Sequence, residues 1–224
     1  MVAGVVALGL VGVGAWVADG WARGAAQDQA ALVVTQQLAV DGTPDVRIDG
    51  FPFLTQLLAR SLDDVSASAA GVTLEGVVAT DVVVHAQDVS LEEPYRVGSA
   101  RVEATVPASS VQQVVAERTG LAVTVEVDGD VLRASGEVFG APLTAGLVPR
   151  VDGGRLLVDV QDVTLGAAGL ALDQLPGGLA DRLVGLEVPL DGLPPGVVLE
   201  QAVVLPQGVR FTAVGTDVVL EAMS

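Results

Sequence analysis

The chain lacks cysteine and lysine altogether and has a single histidine, His85, among its 224 residues. Without cysteine, and with one histidine, it cannot supply the ligands of an ordinary zinc site or a thiol nucleophile. Without lysine it cannot form a Schiff base, and it contains no G-x-x-x-x-G-K phosphate-binding motif. A Ser–His–Asp triad would have to use His85, which the surrounding alternation places mid-strand as a solvated residue. We therefore predict no cofactor and no catalytic residues.

Aromatic residues and positive charge are also scarce. Aromatics make up 3% of a chain that is 50% hydrophobic, so the core must be aliphatic. The 11 basic residues, all arginine, face 28 acidic ones, and the net charge is −17. Binding of nucleic acid needs clustered basic side chains, and so does adsorption to an anionic membrane by charge alone. Nucleic acid is therefore excluded as a partner, and any affinity for lipid must come from apolar burial.

Two adjacent carboxylate pairs, Asp63-Asp64 and Glu92-Glu93, are the remaining candidates for chemistry. A glycosidase or a calcium site could be built from such pairs. Neither pair lies in a patterned loop such as D-x-D-x-D-G, and the aromatic platforms that line sugar sites are lacking. We interpret both pairs as solvated surface, and an enzyme as the third of three functional hypotheses.

An uncharged apolar run, Val2 to Ala18, opens the chain and is close to the shortest length that spans a bilayer. Trp16 and Trp21 lie at its far end, where indole rings favour the membrane interface. No basic segment precedes the run and no clear A-x-A site follows it, so a cleaved signal and a retained anchor are not distinguished. A buried core helix is the alternative. We predict an anchor or signal segment over residues 1–22 and one α+β domain over residues 23–224.

The coarse pattern of the remaining chain predicts an antiparallel sheet with a few helices. Ala25–Val40 continues as an amphipathic helix, and a short strand follows at Val46–Ile48. From Asp64 the hydrophobic period becomes two, which is typical of half-buried strands. Three hairpin turns are predicted, at Asp128-Gly129 (type I′), at Asp152-Gly153-Gly154 and at Pro206-Gln207-Gly208.

Two further helices are predicted within the sheet. One covers Pro107–Gly120, with Val111, Val114 and Val115 as its apolar stripe, and the other covers Pro176–Leu190, with Leu179, Leu183 and Leu186. A long curved antiparallel sheet whose single apolar face wraps on amphipathic helices is an α+β fold.

The segment IDGFPFLTQLLAR, Ile48 to Arg60, contains two of the four phenylalanines in the chain. Pro52 suits a first helical turn. Large apolar residues then recur at helical spacing, namely Phe53, Leu54, Leu57, Leu58 and Leu62. These residues either plug the apolar face of the sheet or line the wall of a lipid groove, and the pattern alone leaves both open.

The stretch VRIDGFPFLTQLLARSLDDVSASAAGVTL resembles the start of the actinobacterial LmeA-like phospholipid-binding family, in which G-F-P-F-L-T-Q-L-L follows a membrane segment. The resemblance continues through VVVHAQDVSL and RVEATVPASSVQQVV. It extends into the closing GVRFTAVGTDVVL, where Phe211, Gly215 and Asp217 match the family pattern. One departure is Arg60, where members often have glycine.

This resemblance implies an envelope protein on the periplasmic side of the inner membrane that binds phospholipid in an elongated apolar groove. The implied fold is similar to that of tubular lipid-binding proteins. Members support the biosynthesis of lipomannan-type glycolipids, which implies a membrane glycosyltransferase as a partner. The alternative is a structural or scaffolding envelope protein with a filled apolar core that acts by protein contact.

We expect the lipid-binding residues to include those of the Gly-Pro segment and one aromatic of the closing strand. They are Phe51, Phe53, Leu54, Leu57, Leu58 and Phe211. Arg47, Arg60 and Arg96 are candidates for contact with a phosphate head group, with an ordinary surface arginine as the alternative.

Overall fold

A computed structural model describes residues 2–37, 39–74, 76–119, 122–138, 141–166, 168–169, 186–188 and 194–220. It describes side chains from Val17 onward, except those of residues 37, 74, 118–119, 138, 165, 168–169, 186–187 and 220. Its helices are α1 (Val2–Gln37), α2 (Phe53–Ala59) and α3 (Ala108–Thr119). Its strands are β1 (Ala39–Asp41), β2 (Asp45–Asp49), β3 (Ser61–Leu74), β4 (Val77–Ser90), β5 (Tyr95–Pro107), β6 (Val123–Asp128), β7 (Val131–Val138), β8 (Ala141–Asp152), β9 (Arg155–Leu165), β10 (Ala168–Gly169), β11 (Leu186–Val188), β12 (Val197–Leu205) and β13 (Gly208–Leu220).

The strands form two antiparallel sheets. The first has the order β1-β3-β4-β5-β13-β12, and β2 also pairs with β3. The second has the order β10-β9-β8-β7-β6, and β11 also pairs with β9. The prediction of an α+β fold built on a curved antiparallel sheet is confirmed, but the strands divide between two sheets.

The predicted hairpins are present. Asp128 pairs with Val131, so the first turn consists of Gly129 and Asp130. Of these two residues only Gly129 has a positive φ, which fits a type II′ turn and corrects the type I′ prediction. Gly153 and Gly154 both have positive φ between β8 and β9. Pro206 and Gln207 connect β12 to β13.

The helix predictions are largely confirmed. The apolar run and the amphipathic segment after it form one continuous helix, α1, and α3 occupies the predicted Pro107–Gly120 segment. The predicted helical end at Val40 is wrong, because α1 ends at Gln37 and Ala39 and Val40 pair with β3 as β1. Leu186, predicted as helical, instead begins β11, which pairs with β9. Glu187 and Val188 of the predicted helix also belong to β11, and its residues 176–185 and 189–190 lie outside the described residues.

No helix in the described part of the chain is both long and apolar enough to cross a membrane. The side chains of residues 1–16 are outside that part, so the anchor remains a prediction.

Four aspartates interrupt the strands with left-handed backbone conformations. Their φ values are 50° at Asp81, 54° at Asp88, 52° at Asp162 and 50° at Asp217. Each is the centre of a Thr-Asp-Val or Gln-Asp-Val triplet, and the chain has no other such triplet. The register shifts at Asp81 and Asp162, as at a β-bulge. Such irregularities bend a strand and increase its twist, so they contribute to the curvature of both sheets.

Candidate functional site

One face of the first sheet is apolar across its long strands. Cross-strand pairs place Ala67 beside Val84, Val84 beside Val102, and Val102 beside Ala213. Leu199 of β12 continues the row beyond Ala213. Because directly paired residues share a face, these aliphatic side chains form one continuous apolar surface.

A first core cluster covers one end of this face. Its buried residues are Ile48 of β2, Phe53 of α2 and Leu62 of β3. Ala22 and Ala26 of α1 pack against them, together with Val65 and Val89 from the sheet. The small alanines let α1 lie close to β2 and α2, so this end is closed by two helices.

A second core cluster covers the opposite end. Val209 of β13 packs there with Val125 of β6 and Leu132 of β7. Ala108 and Val111 of α3 join it. Further half-buried members are Val127, Ala134, Leu147, Ala202, Val204 and Phe211. The second sheet and α3 therefore share one core with this end of the first sheet.

Between the two clusters lies an apolar strip that belongs to neither. Its six side chains are half-buried, and we define the strip by them: Ala67, Val84, Ala86, Ala100, Val102 and Ala213. They lie on four adjacent strands, β3, β4, β5 and β13, so the strip is about 14 Å wide across three interstrand spacings. An acyl chain in one leaflet of a bilayer spans about 15 Å. The strip therefore matches the length of an acyl chain lying across the strands.

The opposite face of the same strands is polar. His85 and Arg101 are paired neighbours there, and both are exposed. Arg101 forms ion pairs with Glu103 at 3.1 Å and Glu200 at 2.8 Å. The hydrogen bonds that Arg101 donates to these two carboxylates raise the pKa of its guanidinium. The asymmetry leaves one face for solvent and the other for apolar contacts.

A cavity of about 60 Å³ lies between β6, β7 and β8, lined in part by Val123, Ala134 and Leu143. Sites that enclose small molecules usually measure about 300–1,000 Å³. This cavity therefore cannot enclose an acyl chain, and the open strip is the better candidate site.

The six predicted lipid-binding residues do not form one group. Phe53 is 0% exposed and belongs to the first core cluster. Phe51 and Leu58 are 66% and 84% exposed, and Leu54 and Leu57 are also exposed. Phe211 packs in the second cluster, about 23 Å along β13 from Val218 at the other end. Only Phe53 and Phe211 lie on the apolar face, one at each end of the strip.

The core-facing side of α2 differs from the predicted apolar stripe. Its buried residues are Phe53 and Gln56, while Leu54, Leu57 and Leu58 point outward. The Gln56 side chain donates to the Asp49 carbonyl at 3.2 Å and accepts from the Asp63 N–H at 2.9 Å. A buried amide with both ends hydrogen-bonded fixes α2 between β2 and β3.

Asp19 of α1 fixes the other end of α2. Its carboxylate is buried and accepts a hydrogen bond from the Leu54 N–H at 2.8 Å. Burial raises the pKa of the Asp19 carboxyl, but hydrogen bonds from the Leu54 and Phe53 N–H groups and the charge of Arg23 lower it more. The net pKa is below its ordinary value. Because Pro52 provides no side-chain cap, Asp19 serves as the cap of α2 from a different helix.

The three arginines considered for a head group have different surroundings. Arg47 pairs with Asp45 at 2.6 Å, and Arg60 pairs with Glu92, so both charges are matched by neighbouring carboxylates. Arg96 is exposed at the start of β5, and no ion pair to it occurs among the described residues. Arg96 is therefore the best placed of the three to meet an external phosphate.

The residues considered for catalysis are dispersed. His85 is exposed on β4, as predicted, and Asp63 and Glu92 lie on separate exposed segments. The described residues contain no group of three or more histidine or acidic side chains arranged to hold a metal ion.

The strip residues themselves were missed by sequence reasoning, which concentrated on the large side chains near Pro52. A signal was available, because alanines replace valines at alternate positions of β3, β4 and β5. Small residues in the middle of a long apolar face leave room that a filled core would not.

Residues 17–214 match the LmeA-like phospholipid-binding family. The chain belongs to that family. The match includes both core clusters, α2 and the whole apolar strip, and it confirms the resemblance carried by the G-F-P-F segment. No curated protein and no solved structure matches the chain significantly. Membership of the LmeA-like family thus associates the chain with phospholipid binding.

Proposed function

We propose that the chain is a non-catalytic protein of the cell envelope that binds phospholipid by laying an acyl chain across the apolar strip. The observation that supports this proposal is the strip itself, a half-buried apolar surface between two core clusters in a member of a phospholipid-binding family. Burial stabilises an acyl chain by about 0.8 kcal/mol per methylene, and by roughly half of that where only one side is covered.

In this proposal the N-terminal helix tethers the domain to the periplasmic side of the inner membrane, as a retained anchor or before cleavage. The apolar run Val2–Ala18 and the tryptophans at its end support this placement. The strip then lies within reach of membrane lipids.

We test lipid binding by native mass spectrometry of the full chain purified gently from bacteria. Val84 and Val83 are consecutive on β4 and both half-buried, but Val84 pairs with Val102 on the strip and Val83 pairs with Glu103 on the polar face. We expect wild type and Val83→Asp to carry a phospholipid mass, and Val84→Asp to lose it. Val102→Thr, which keeps the side-chain shape, reduces the bound fraction without threatening the fold.

A clean apo mass for the wild-type protein would contradict the proposal. It would favour instead a scaffolding protein that acts by contact. Equal lipid content in Val84→Asp and Val83→Asp would show that the lipid lies elsewhere on the molecule.

We further propose that the bound lipid serves the biosynthesis of lipomannan-type glycolipids, through a membrane glycosyltransferase. Family membership supports this role. Deleting the coding sequence from the producing bacterium is expected to lower its mannosylated glycolipids, and wild type but not Val84→Asp should restore them. Unchanged glycolipid composition after deletion would contradict this part of the proposal alone.

A further inference from the structure

Exposed large apolar side chains lie on the α2 segment and, at the same level of the molecule, on the outer side of α1. Leu58 is 84% exposed, Trp21 78% and Phe51 66%. We define this surface as the apolar rim: Val17, Trp21, Phe51, Leu54, Leu57 and Leu58. Exposed apolar patches of this kind mark surfaces that contact another apolar phase or partner.

The rim is held together by hydrogen bonds between its elements. Asp19, located between Val17 and Trp21 on α1, accepts the Leu54 N–H at 2.8 Å. Arg23 donates to the Gly50 carbonyl, directly before Phe51. At the far end of α2 the Leu91 N–H donates to the Arg60 carbonyl at 2.9 Å, which adds the exposed Leu91 of the β4–β5 connection. These bonds fix α2 beside α1 at the level of Asp19, where the uncharged run ends. Val17 and Trp21 are each two residues from Asp19, about 200° around the helix, so they point away from α2 and the rim has exposed side chains on both sides of α1.

The core does not require these side chains. Phe53 and Gln56 already satisfy the packing and hydrogen bonding of α2 against the sheet. Leu54, Leu57 and Leu58 gain little burial energy when the chain folds alone, and they would gain it only if another apolar surface covered them.

The residues of α1 that precede the rim indicate what contacts its exposed side chains. Residues 2–18 carry no charged side chain, and they continue without a break into the part of α1 that bears Val17 and Trp21. Asp19, the first charged residue, is already neutralised by Arg23 and by the N–H groups of α2. We propose that the rim is a membrane-docking surface, whose outward side chains of α2 insert into the interface of a lipid bilayer beside the apolar run.

The charges around the rim indicate how the docking is driven. Glu92 is paired with Arg60, and Arg96 is free to meet a phosphate, but Asp49, Asp63 and Glu93 are exposed at the same end. The whole chain has a net charge of −17. Insertion must therefore come from apolar burial and not from attraction to anionic lipid. Uncharged zwitterionic vesicles should suffice.

The test uses the absence of cysteine from the full chain. Leu58→Cys is labelled with a polarity-sensitive nitrobenzoxadiazole and reconstituted in phosphatidylcholine vesicles. Val203→Cys, at an exposed apolar position of β12, is the matched control. We expect a several-fold rise in fluorescence and strong quenching by brominated lipid for the Leu58 label only. Adding phosphatidylglycerol to the vesicles should change neither result.

The proposal predicts further that Phe51→Asp returns the Leu58 label to water while far-ultraviolet circular dichroism stays unchanged. A Leu58 label that remains as accessible to aqueous iodide as the Val203 label on vesicle-bound protein would overturn the inference. A concentration-dependent rise without vesicles would also overturn it, since a second copy would then cover the rim. Native mass spectrometry measures lipid bound to the strip, and the fluorescent label measures docking. The two proposals can therefore fail independently.

Discussion

Gly215 illustrates at the scale of one residue how closely the apolar face is packed near its covered end. A Cβ at this position would overlap Cγ2 of Val218, which is 2% exposed and cannot move away. Gly215 and Val218 are three residues apart, but the left-handed Asp217 between them brings their side chains to the same face. The sequence Gly215-Thr216-Asp217-Val218 therefore has a physical reason in this chain.

We expect Gly215→Ala to lower the free energy of unfolding by about 2 kcal/mol, because overpacking a closed site forces its neighbours apart. Gly71→Ala is the matched control, since the nearest atoms to its new methyl all belong to the exposed side chain of Asp41, and the closest is an oxygen of the flexible carboxylate. Urea unfolding of both variants decides the matter. Equal stability of the two would mean that Val218 repacks freely.

Asp217 carries the second residue-scale prediction. Its φ of 50° suits asparagine and glycine but not a β-branched residue. Asp217→Val should therefore cost about 1–2 kcal/mol, although valine is the better strand former elsewhere. Asp217→Asn should be close to neutral, and thermal unfolding of the pair measures the difference. A Val variant as stable as the Asn variant would show that the strand relaxes to ordinary φ.

At the scale of elements, α2 depends on a cap supplied by α1. The folded-state pKa of Asp19 is depressed, so the stabilisation by its carboxylate is complete above the ordinary value of 3.8 and is lost as pH falls through the folded pKa. Asp19→Asn should have a lower melting temperature than wild type at neutral pH. The difference in melting temperature should disappear at acid pH values below the folded-state pKa of Asp19. Asp28→Asn, exposed on the same helix, should show no gap at either pH. A gap independent of pH would mean that shape, not charge, is what matters at Asp19.

The C-terminus of α2 gives another element-scale prediction. Arg60 ends the helix with φ 55° and ψ 36°, and its N–H bonds to the carbonyls of Gln56 and Leu57. Glycine adopts this conformation without steric cost. Arg60→Gly should therefore be about 1 kcal/mol more stable than Arg60→Ala, since both lose the ion pair with Glu92 and only one keeps a Cβ. Chemical denaturation of the two variants checks this, and the reverse order would contradict it.

The sequence predicts local features of these elements well because they depend on neighbours along the chain. Alternation in β3 to β5 indicates which side chains share a face, and the glycines at 129, 153 and 154 locate two hairpins. The orientation of α2 was not predictable in this way. Helical spacing fits both Phe53 with Gln56 and Leu54 with Leu58, and the choice depends on partners such as Asp49 and Asp63 in other strands.

At the scale of the whole molecule, what could not be predicted is the long-range pairing. Val102 pairs with Ala213 across about half the sequence, and the many similar valine-rich strands permit several pairings of equal apolar quality. The division into two sheets follows from that pairing, and so does the gap between the two core clusters. The family resemblance predicted lipid binding, but the strip became visible only once β13 was placed beside β5.

The composition of the strip leads to the final prediction, on what the molecule recognises in a lipid. Its six side chains are aliphatic, and no charged group is among them. Affinity should therefore follow the length of the acyl chain and depend little on the head group.

Soluble short-chain phospholipids should raise the melting temperature, because a ligand that binds only the folded state stabilises it. One-sided contact is worth roughly 0.4 kcal/mol per methylene, so affinity should rise about twofold per carbon. Phosphatidylcholine and phosphatidylglycerol of equal chain length should give equal shifts in wild type and Val83→Asp, and neither should shift Val84→Asp. A change in melting temperature that depended on the head group would contradict this prediction. It would indicate that Arg96, an exposed arginine with no ion pair among the described residues, recognises the lipid instead of the strip.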